Sequence, residues 1–344
     1  MEYSISIGGP RRASMQSDVQ FVQLAERIGV NYAWAAEAWG RDAVTPLAYL
    51  AACTDRIKLG TGIMQVSARV PAMMAMTALN LAQLSNNRFI LGLGVSGPQV
   101  VEGLHGVKFQ PALSRLKETV AILRKAFAGE KLQHDGEVLQ LPRPGGQGKA
   151  LRIDQAPNPE IPIFLATLGP KALNFTGAQA DGWLGTSFSP NHPNAHFDHL
   201  RAGAAASGRD LSTLAAHVQA NVAIGDDVDA LIETMRPSIA FTLGAMGSAK
   251  TNFYNDAVRR SGYEDDARAV QALWVAGKRD AAIARVPAEL VLRFGLVGNA
   301  AMVRERIAVY RAAGITCINL RTQATDTNAR LSALEQTMDI LRDA

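Results

Sequence analysis

The run Phe89-Ile-Leu-Gly-Leu-Gly-Val95 is apolar on both of its faces. A strand of that kind is stable only where both faces are covered, which is the situation of a parallel sheet wrapped in helices. Directly after it, Ser96-Gly97-Pro98 stops the strand and leads through Glu102 and His105 to Gly106, so a polar, glycine-rich loop sits at the strand's C-terminal end. In parallel α/β folds that edge is where ligands bind. Taken alone, the same residues also read as a strand and an ordinary turn. Repetition decides between the two readings, because further strands of the chain end in the same way.

Strands are predicted at Tyr3–Ile7, Tyr32–Glu37, Ile57–Ile63, Phe89–Val95, Ile161–Ala166, Gly182–Gly185, Ala216–Ile224 and Ile315–Leu320, with helical patterns between them. The first of those helices, Ser17–Ile28, carries Val19, Phe21, Val22, Leu24, Ala25 and Ile28 on one side and is closed by Gly29. Strand–helix alternation implies parallel pairing through right-handed crossovers. The rhythm breaks twice. Leu132–Leu141 alternates in period two across Asp135-Gly136 and reads as a hairpin, within an insertion near 130–160. A second insertion near 237–290 is mostly helical, with no strand. A chain of 344 residues, 48% of them hydrophobic, is long enough for one large core. The expectation is a single α/β domain over 1–344, a (β/α)8 TIM barrel with a hairpin insertion and a helical insertion. A doubly wound open sheet is the runner-up.

Lys and Arg number 35 against 31 Asp and Glu, a net charge of +4, and the basic residues form no long cluster. That suits a small anionic ligand and speaks against a nucleic-acid groove. Cys53 and Cys317 lie in apolar surroundings without ligand-like spacing, and both read as buried thiols in a reducing compartment, hence a cytoplasmic protein. The N-terminus enters a strand without a secretory pattern, and no stretch has 18 uninterrupted apolar residues, so no membrane partner is expected. The six histidines are read as having no plausible carboxylate partner close by in sequence, no metal site is expected, and no Gly-x-Ser-x-Gly elbow occurs.

Four strand ends carry candidate chemistry. Leu59-Gly-Thr-Gly-Ile-Met-Gln-Val66 places two glycines where a bulge or tight packing needs them. Leu165-Ala-Thr-Leu-Gly-Pro-Lys171 opens a helix, so backbone N–H groups, the Thr167 hydroxyl and Lys171 are arranged to meet an anion, unless Gly-Pro only marks the helix start. Gly185-Thr186-Ser187 adds hydroxyls nearby. Glu37 and Trp39 flank Ala38 at the second strand's end, fitted to hold a ligand's polar edge and wall its face. The alternative is a Glu37 paired with Arg41 or Arg56 and a Trp39 in the core.

Gly60-Thr-Gly-Ile63, Arg88 to Pro98 with Glu102-Gly103 and Gly106, Gly169-Pro-Lys171, and Gly247 with Asn252-Phe-Tyr254 together resemble the bacterial luciferase-like superfamily. Within it they are most similar to the branch that uses the deazaflavin coenzyme F420, typified by methylenetetrahydromethanopterin reductase. The resemblance implies a (β/α)8 barrel with coenzyme at its C-terminal mouth and chemistry at the deazaflavin C5. It makes Gly62-Ile63 a bulge with a non-prolyl cis peptide behind the ring, with Met64 and Gln65 beside it. It sets Ser96, Gly97 and Pro98 along the coenzyme and gives Ala166, Thr167, Leu168, Gly169 and Pro170 its phosphate. The family often has Asp-His after the second strand, where this chain has Glu37-Ala38, so proton transfer passes from histidine to Glu37, Glu102 or a bound water, beside Trp39. A homodimer is usual for the family.

The preferred function is therefore a coenzyme F420-dependent oxidoreductase passing a hydride to or from a small-molecule substrate that the sequence leaves unidentified. An FMNH₂-dependent monooxygenase, with FMN as the alternative cofactor, and a non-catalytic flavin or deazaflavin carrier are the competing readings.

Overall fold

The structure is a computed structural model that describes residues 1–8, 14–247, 251–324 and 326–342. Eight parallel strands carry the fold: β1 (Glu2–Ser6), β2 (Tyr32–Ala35), β3 (Lys58–Thr61), β4 (Phe89–Gly94), β5 (Ile163–Ala166), β6 (Gly182–Gly185), β7 (Ala215–Ile224) and β8 (Cys317–Thr322). Each pairs with the next in chain order, and β1 pairs with β8, Glu2 opposite Cys317 and Ile5 opposite Leu320, which closes the ring. The chain is a (β/α)8 barrel, and closure excludes the open doubly wound sheet.

Alternation along each strand separates two cores. Side chains such as Ile5, Leu59, Leu91, Leu165, Val218 and Ile318 point outward and pack under the helices. Tyr32, Trp34, Ile90, Phe164 and Cys317 point into the lumen and plug its lower half, with His217 edge-on to Tyr32 and Phe164 at ring-centroid distances of 4.7 and 5.1 Å. Two strands can approach the plug only because they lack side chains there. A Cβ on Gly60 would lie 2.2 Å from the Trp34 ring, and one on Gly92 would lie 1.9 Å from the Thr61 carbonyl oxygen. The Thr61 hydroxyl then bridges to β4, donating to Gly92 O at 2.7 Å.

The expected hairpin is present but short: His134–Asp135 pairs with Gln140–Leu141, and Glu118 takes the backbone N–H groups of Val138 and Leu139 in the turn. The helical insertion departs from expectation at its start. One helix, Val228–Ala245, runs straight through Pro237. Its buried Ile232, Met235, Ala240 and Leu243 join Val258, Val270 and Leu290 in a second hydrophobic cluster. That packing offsets the roughly 3 kcal/mol a mid-helix proline costs. Helices Phe253–Arg260, Glu264–Val275, Arg279–Ala284 and Ala288–Phe294 follow.

A strand at Gly295–Gly298 has no counterpart in the sequence reading. It pairs with Asn221–Ile224 while Asn221 and Val222 already pair with β8, so it occupies the other edge of β7, beyond the end of β6. Four residues between two helices are too few to show a period. Cys317 is buried as expected, but Cys53 is only half-buried, because it ends its helix at the surface.

Candidate active site at the barrel mouth

At the mouth the β3 edge is interrupted and braced. Gly60 stands opposite Ile90 and Met64 opposite Leu93, so four residues on one side span three on the other, and the extra residue falls at Gly62–Ile63. The peptide between them is cis, as expected from the resemblance. Gly62 N–H donates to Ala35 O (2.6 Å) and Glu37 N–H to Ile63 O (3.1 Å). Ile63 is half-buried beneath the opening and packs on β4, where a Cβ on Gly94 would meet its side chain at 2.9 Å. Met64 turns into the outer core, and Gln65 is buried with Nε2 donating to Glu37 O at 3.2 Å.

Glu37 is the clamp of this corner. Arg69 grips both carboxylate oxygens, at 2.6 and 2.7 Å, and the N–H groups of Ala43 and Gln65 donate to them as well. Neither predicted partner takes part: Arg41 pairs with Asp18 at 2.6 Å, and Arg56 donates its backbone N–H to Glu26. With its acceptor sites filled by four protein donors, Glu37 holds the bulge in place. Trp39 lies outside the core altogether, 63% exposed beyond the end of β2.

On β4, Ser96 takes a left-handed backbone (φ 58°), uncommon outside glycine. Gly97 then caps a single helical turn, Pro98–Val101, that the sequence reading leaves as loop. Glu102 is exposed, its Oε1 accepting the Phe109 N–H at 3.0 Å across the loop. Ser187, at the end of β6, repeats the left-handed conformation (φ 51°).

The β5 end divides the predicted anion site. Thr167 is buried, and its hydroxyl lies 2.7 Å from that of Thr176. Thr176 donates to Ala172 O, so the Thr167 proton is spent on Thr176 and the hydroxyl faces inward. The backbone remains suited to an anion: helix Pro170–Gln179 has no side-chain cap, and a Cβ on Gly169 would touch nothing within 4 Å. Arg260, from the helical insertion, donates to Leu168 O at 2.6 Å, and its Nε is buried without a partner. A phosphate fits this corner: Ala172 and Leu173 N–H donate to Gly169 O, while the Gly169 and Lys171 N–H groups have no partner among the described residues, and the Arg260 guanidinium stands at the adjoining Leu168 carbonyl.

The opposite wall belongs to β7 and β8. Lumen-facing positions above the plug read Gln219 and Asn221 on β7, Asn319 and Arg321 on β8, and Ser6 on β1. The Ser6 hydroxyl donates to Asn319 Oδ1 (3.2 Å), and Arg321 Nη1 donates to Gln219 Oε1 (3.1 Å). Arg321 is closely surrounded by protein yet open to solvent, the situation of a residue lining a deep mouth. Burial pushes its guanidinium below the ordinary value, with the Tyr254 hydroxyl acting the other way. Tyr254, from helix Phe253–Arg260, has its phenol raised by burial, and the Arg321 charge draws it back. The sequence reading missed this wall. Its signal was a period-two alternation, His217-Val-Gln-Ala-Asn221 and Cys317-Ile-Asn-Leu-Arg321, polar toward the lumen and apolar toward the helices.

Among the described residues, no group of three or more His, Cys, Asp or Glu is placed to hold a metal, and no helix is long and apolar enough to cross a membrane.

The model of the luciferase-like monooxygenase family matches residues 4–317. A Mycobacterium tuberculosis protein, provisionally named a coenzyme F420-dependent oxidoreductase, is 38% identical over 97% of this chain and 99% of its own length. The 5,10-methylenetetrahydromethanopterin reductase of Archaeoglobus fulgidus is 26% identical over 86% of each chain. In fold, the coenzyme F420-dependent tetrahydromethanopterin reductase of Methanopyrus kandleri superposes with a TM-score of 0.80 at 20% identity, covering 98% of this chain and 97% of that one. The chain therefore belongs to the luciferase-like monooxygenase family and falls in its coenzyme F420-dependent branch.

Proposed function

We propose that this enzyme uses coenzyme F420 to pass a hydride to or from a small organic substrate held at the barrel mouth. The observation that carries the reading is the corner at the end of β5, where the Gly169 and Lys171 N–H groups have no partner among the described residues, a Cβ on Gly169 would meet open space, and Arg260 adjoins at Leu168 O. When bound, the deazaflavin supplies the carbon centre that takes up or gives back the hydride. The protein's own residues bind, orient and exclude water. Ile63, on the bulge that Glu37 and Arg69 brace, backs the ring, and Ser96, Gly97 and Pro98 flank it. The backbone of Ala166 to Pro170 with Arg260 holds the phosphate, and Trp39 covers the opening. Glu102 is the proton-transfer candidate, since its second oxygen is free of the Phe109 contact and reaches solvent, whereas Glu37 is consumed by its clamp.

A homodimer accords with two neighbouring helices, Val44–Cys53 and Pro71–Leu84, that carry no charged residue and expose Tyr49, Met73 and Met76. Free thiols at Cys53 and Cys317, the latter pushed up by burial, accord with a reducing cytoplasm.

Absorbance titration with coenzyme F420 and with FMN, followed by native mass spectrometry, tests the cofactor directly. Micromolar binding of coenzyme F420 is expected. Binding of FMN with none of coenzyme F420 would promote the monooxygenase reading, and binding without turnover on any alcohol or carbonyl compound would promote the carrier.

A further inference from the structure

Ring order sets β8 across the barrel from β4, so the Arg321 wall faces Ser96 and the coenzyme cradle over the mouth. Anything small that lies on the cradle touches this wall with its far side. Arg321 is the one cation that the lumen-facing positions of β7 and β8 present there, and among the described residues it has no carboxylate partner. Among the described residues its one hydrogen-bond partner is Gln219, a neutral amide that uses one of five N–H donors. Tyr254, whose hydroxyl makes no hydrogen bond to the described residues, is near enough that its phenol and the Arg321 guanidinium act on each other's charge. Asn221, opposite Arg321 in the β7–β8 register, adds a third polar group.

A guanidinium at a mouth with no carboxylate of its own keeps its donors available to an anionic ligand. A planar fork with free donors is best met by a carboxylate, bidentately, and a phenol beside it can donate to the same group. We infer that Arg321, with Tyr254 and Gln219, forms a substrate subsite for a carboxylate, and that the natural substrate is a small organic acid whose reacting carbon lies between this wall and the cradle. The inference deepens the proposed oxidoreductase reading and rests on it only for the position of the reacting carbon. Coenzyme F420 also carries carboxylates, so the test separates the two sources.

The probes are benzoate and acetate, each set against its neutral alcohol, benzyl alcohol and ethanol. They are titrated calorimetrically into the whole protein, with and without coenzyme F420. The acids are expected to bind at least tenfold tighter than the alcohols. Arg321→Gln should abolish that preference, Tyr254→Phe should reduce it severalfold, and both variants should hold coenzyme F420 within about twofold of wild type. Arg321 is solvent-accessible at the mouth, so its replacement leaves the cores untouched, and circular dichroism checks the fold. If Arg321→Gln bound benzoate as wild type does, or wild type bound no acid in preference to its alcohol, the subsite is wrong. A tenfold loss of coenzyme affinity in Arg321→Gln would assign the guanidinium to the coenzyme and overturn the inference equally. Acid preference dependent on Arg321 in a protein that ignores coenzyme F420 would support the subsite while sinking the cofactor reading.

Discussion

The two halves of the barrel mouth are made of different material. Around the ends of β2 to β5 the distinctive groups are largely backbone: the Gly62–Ile63 bulge, the left-handed Ser96, and the Gly169 and Lys171 N–H groups that have no partner among the described residues. Side chains such as Glu37, Arg69 and Thr167 work behind that surface, holding it in shape. Around β7, β8 and the helical insertion the arrangement is reversed, and Gln219, Asn319, Arg321 and Tyr254 themselves face the opening. A backbone surface changes little when single residues change, which suits a ligand shared by a whole family. A side-chain surface is rewritten by one substitution, which suits a substrate that differs from member to member.

Both halves stand on one floor, and acid tests whether they fall together. His217 in the plug and His196 beneath Trp183 are held neutral by burial, each with its pKa lowered to about 3. Unfolded, they take up protons below about pH 6.5. Stability is therefore full above that pH and is lost as pH falls from about 6.5 toward 3, at about 1.4 kcal/mol per histidine per pH unit. By pH 4.5 the loss should reach about 5 kcal/mol in urea denaturation, and His217→Phe should remove about half of the slope. Separate acid transitions for coenzyme binding and for global unfolding would show that the halves have independent foundations.

Gly92→Ala attacks the backbone half at its closest approach, driving a methyl group into the Thr61 carbonyl. A loss of about 3 kcal/mol is expected, since neither strand can retreat from the other. Next in size is Glu37→Gln, which breaks a pair whose side chains are only 7% and 22% exposed and loosens the bulge, costing about 2 kcal/mol. Coenzyme affinity should fall with stability in that variant, while the benzoate preference at Arg321 stays. If the acid preference vanished as well, the division of labour between the halves would be wrong. The smallest effect belongs to Gly169→Asp. The new side chain has room, and a carboxylate at a helix N-terminus adds a few tenths of a kcal/mol to stability. Coenzyme F420 affinity should nonetheless drop about tenfold by repulsion of its phosphate, so that Tm and affinity move in opposite directions.

The eight strands were legible in the sequence to within a few residues, because a strand buried on both faces leaves an apolar run that few other elements imitate. The braces were not. Glu37 meets Arg69 across 32 positions and Leu168 meets Arg260 across 92, and neither pair carries a local pattern. The helix Val228–Ala245 runs past the expected start of the insertion and through Pro237, because a packed face outweighs the proline's local propensity. Arg321 lay in plain view as the polar beat of an alternating strand. A polar residue at one beat of an alternating strand is common on any sheet, so nothing local distinguishes Arg321 from an ordinary solvent-facing position.

The bond from Arg260 to Leu168 O ties the helical insertion to the loop proposed to receive the phosphate. Two segments joined in this way share one equilibrium: whatever orders the loop also orders the insertion, and by the same free energy in either direction. Coenzyme binding should thus be audible far from its site, as slower amide exchange in helix Phe253–Arg260. On the proposed reading, such an insertion is no ornament to be trimmed, since removing it would take Arg260 away from the corner at Leu168.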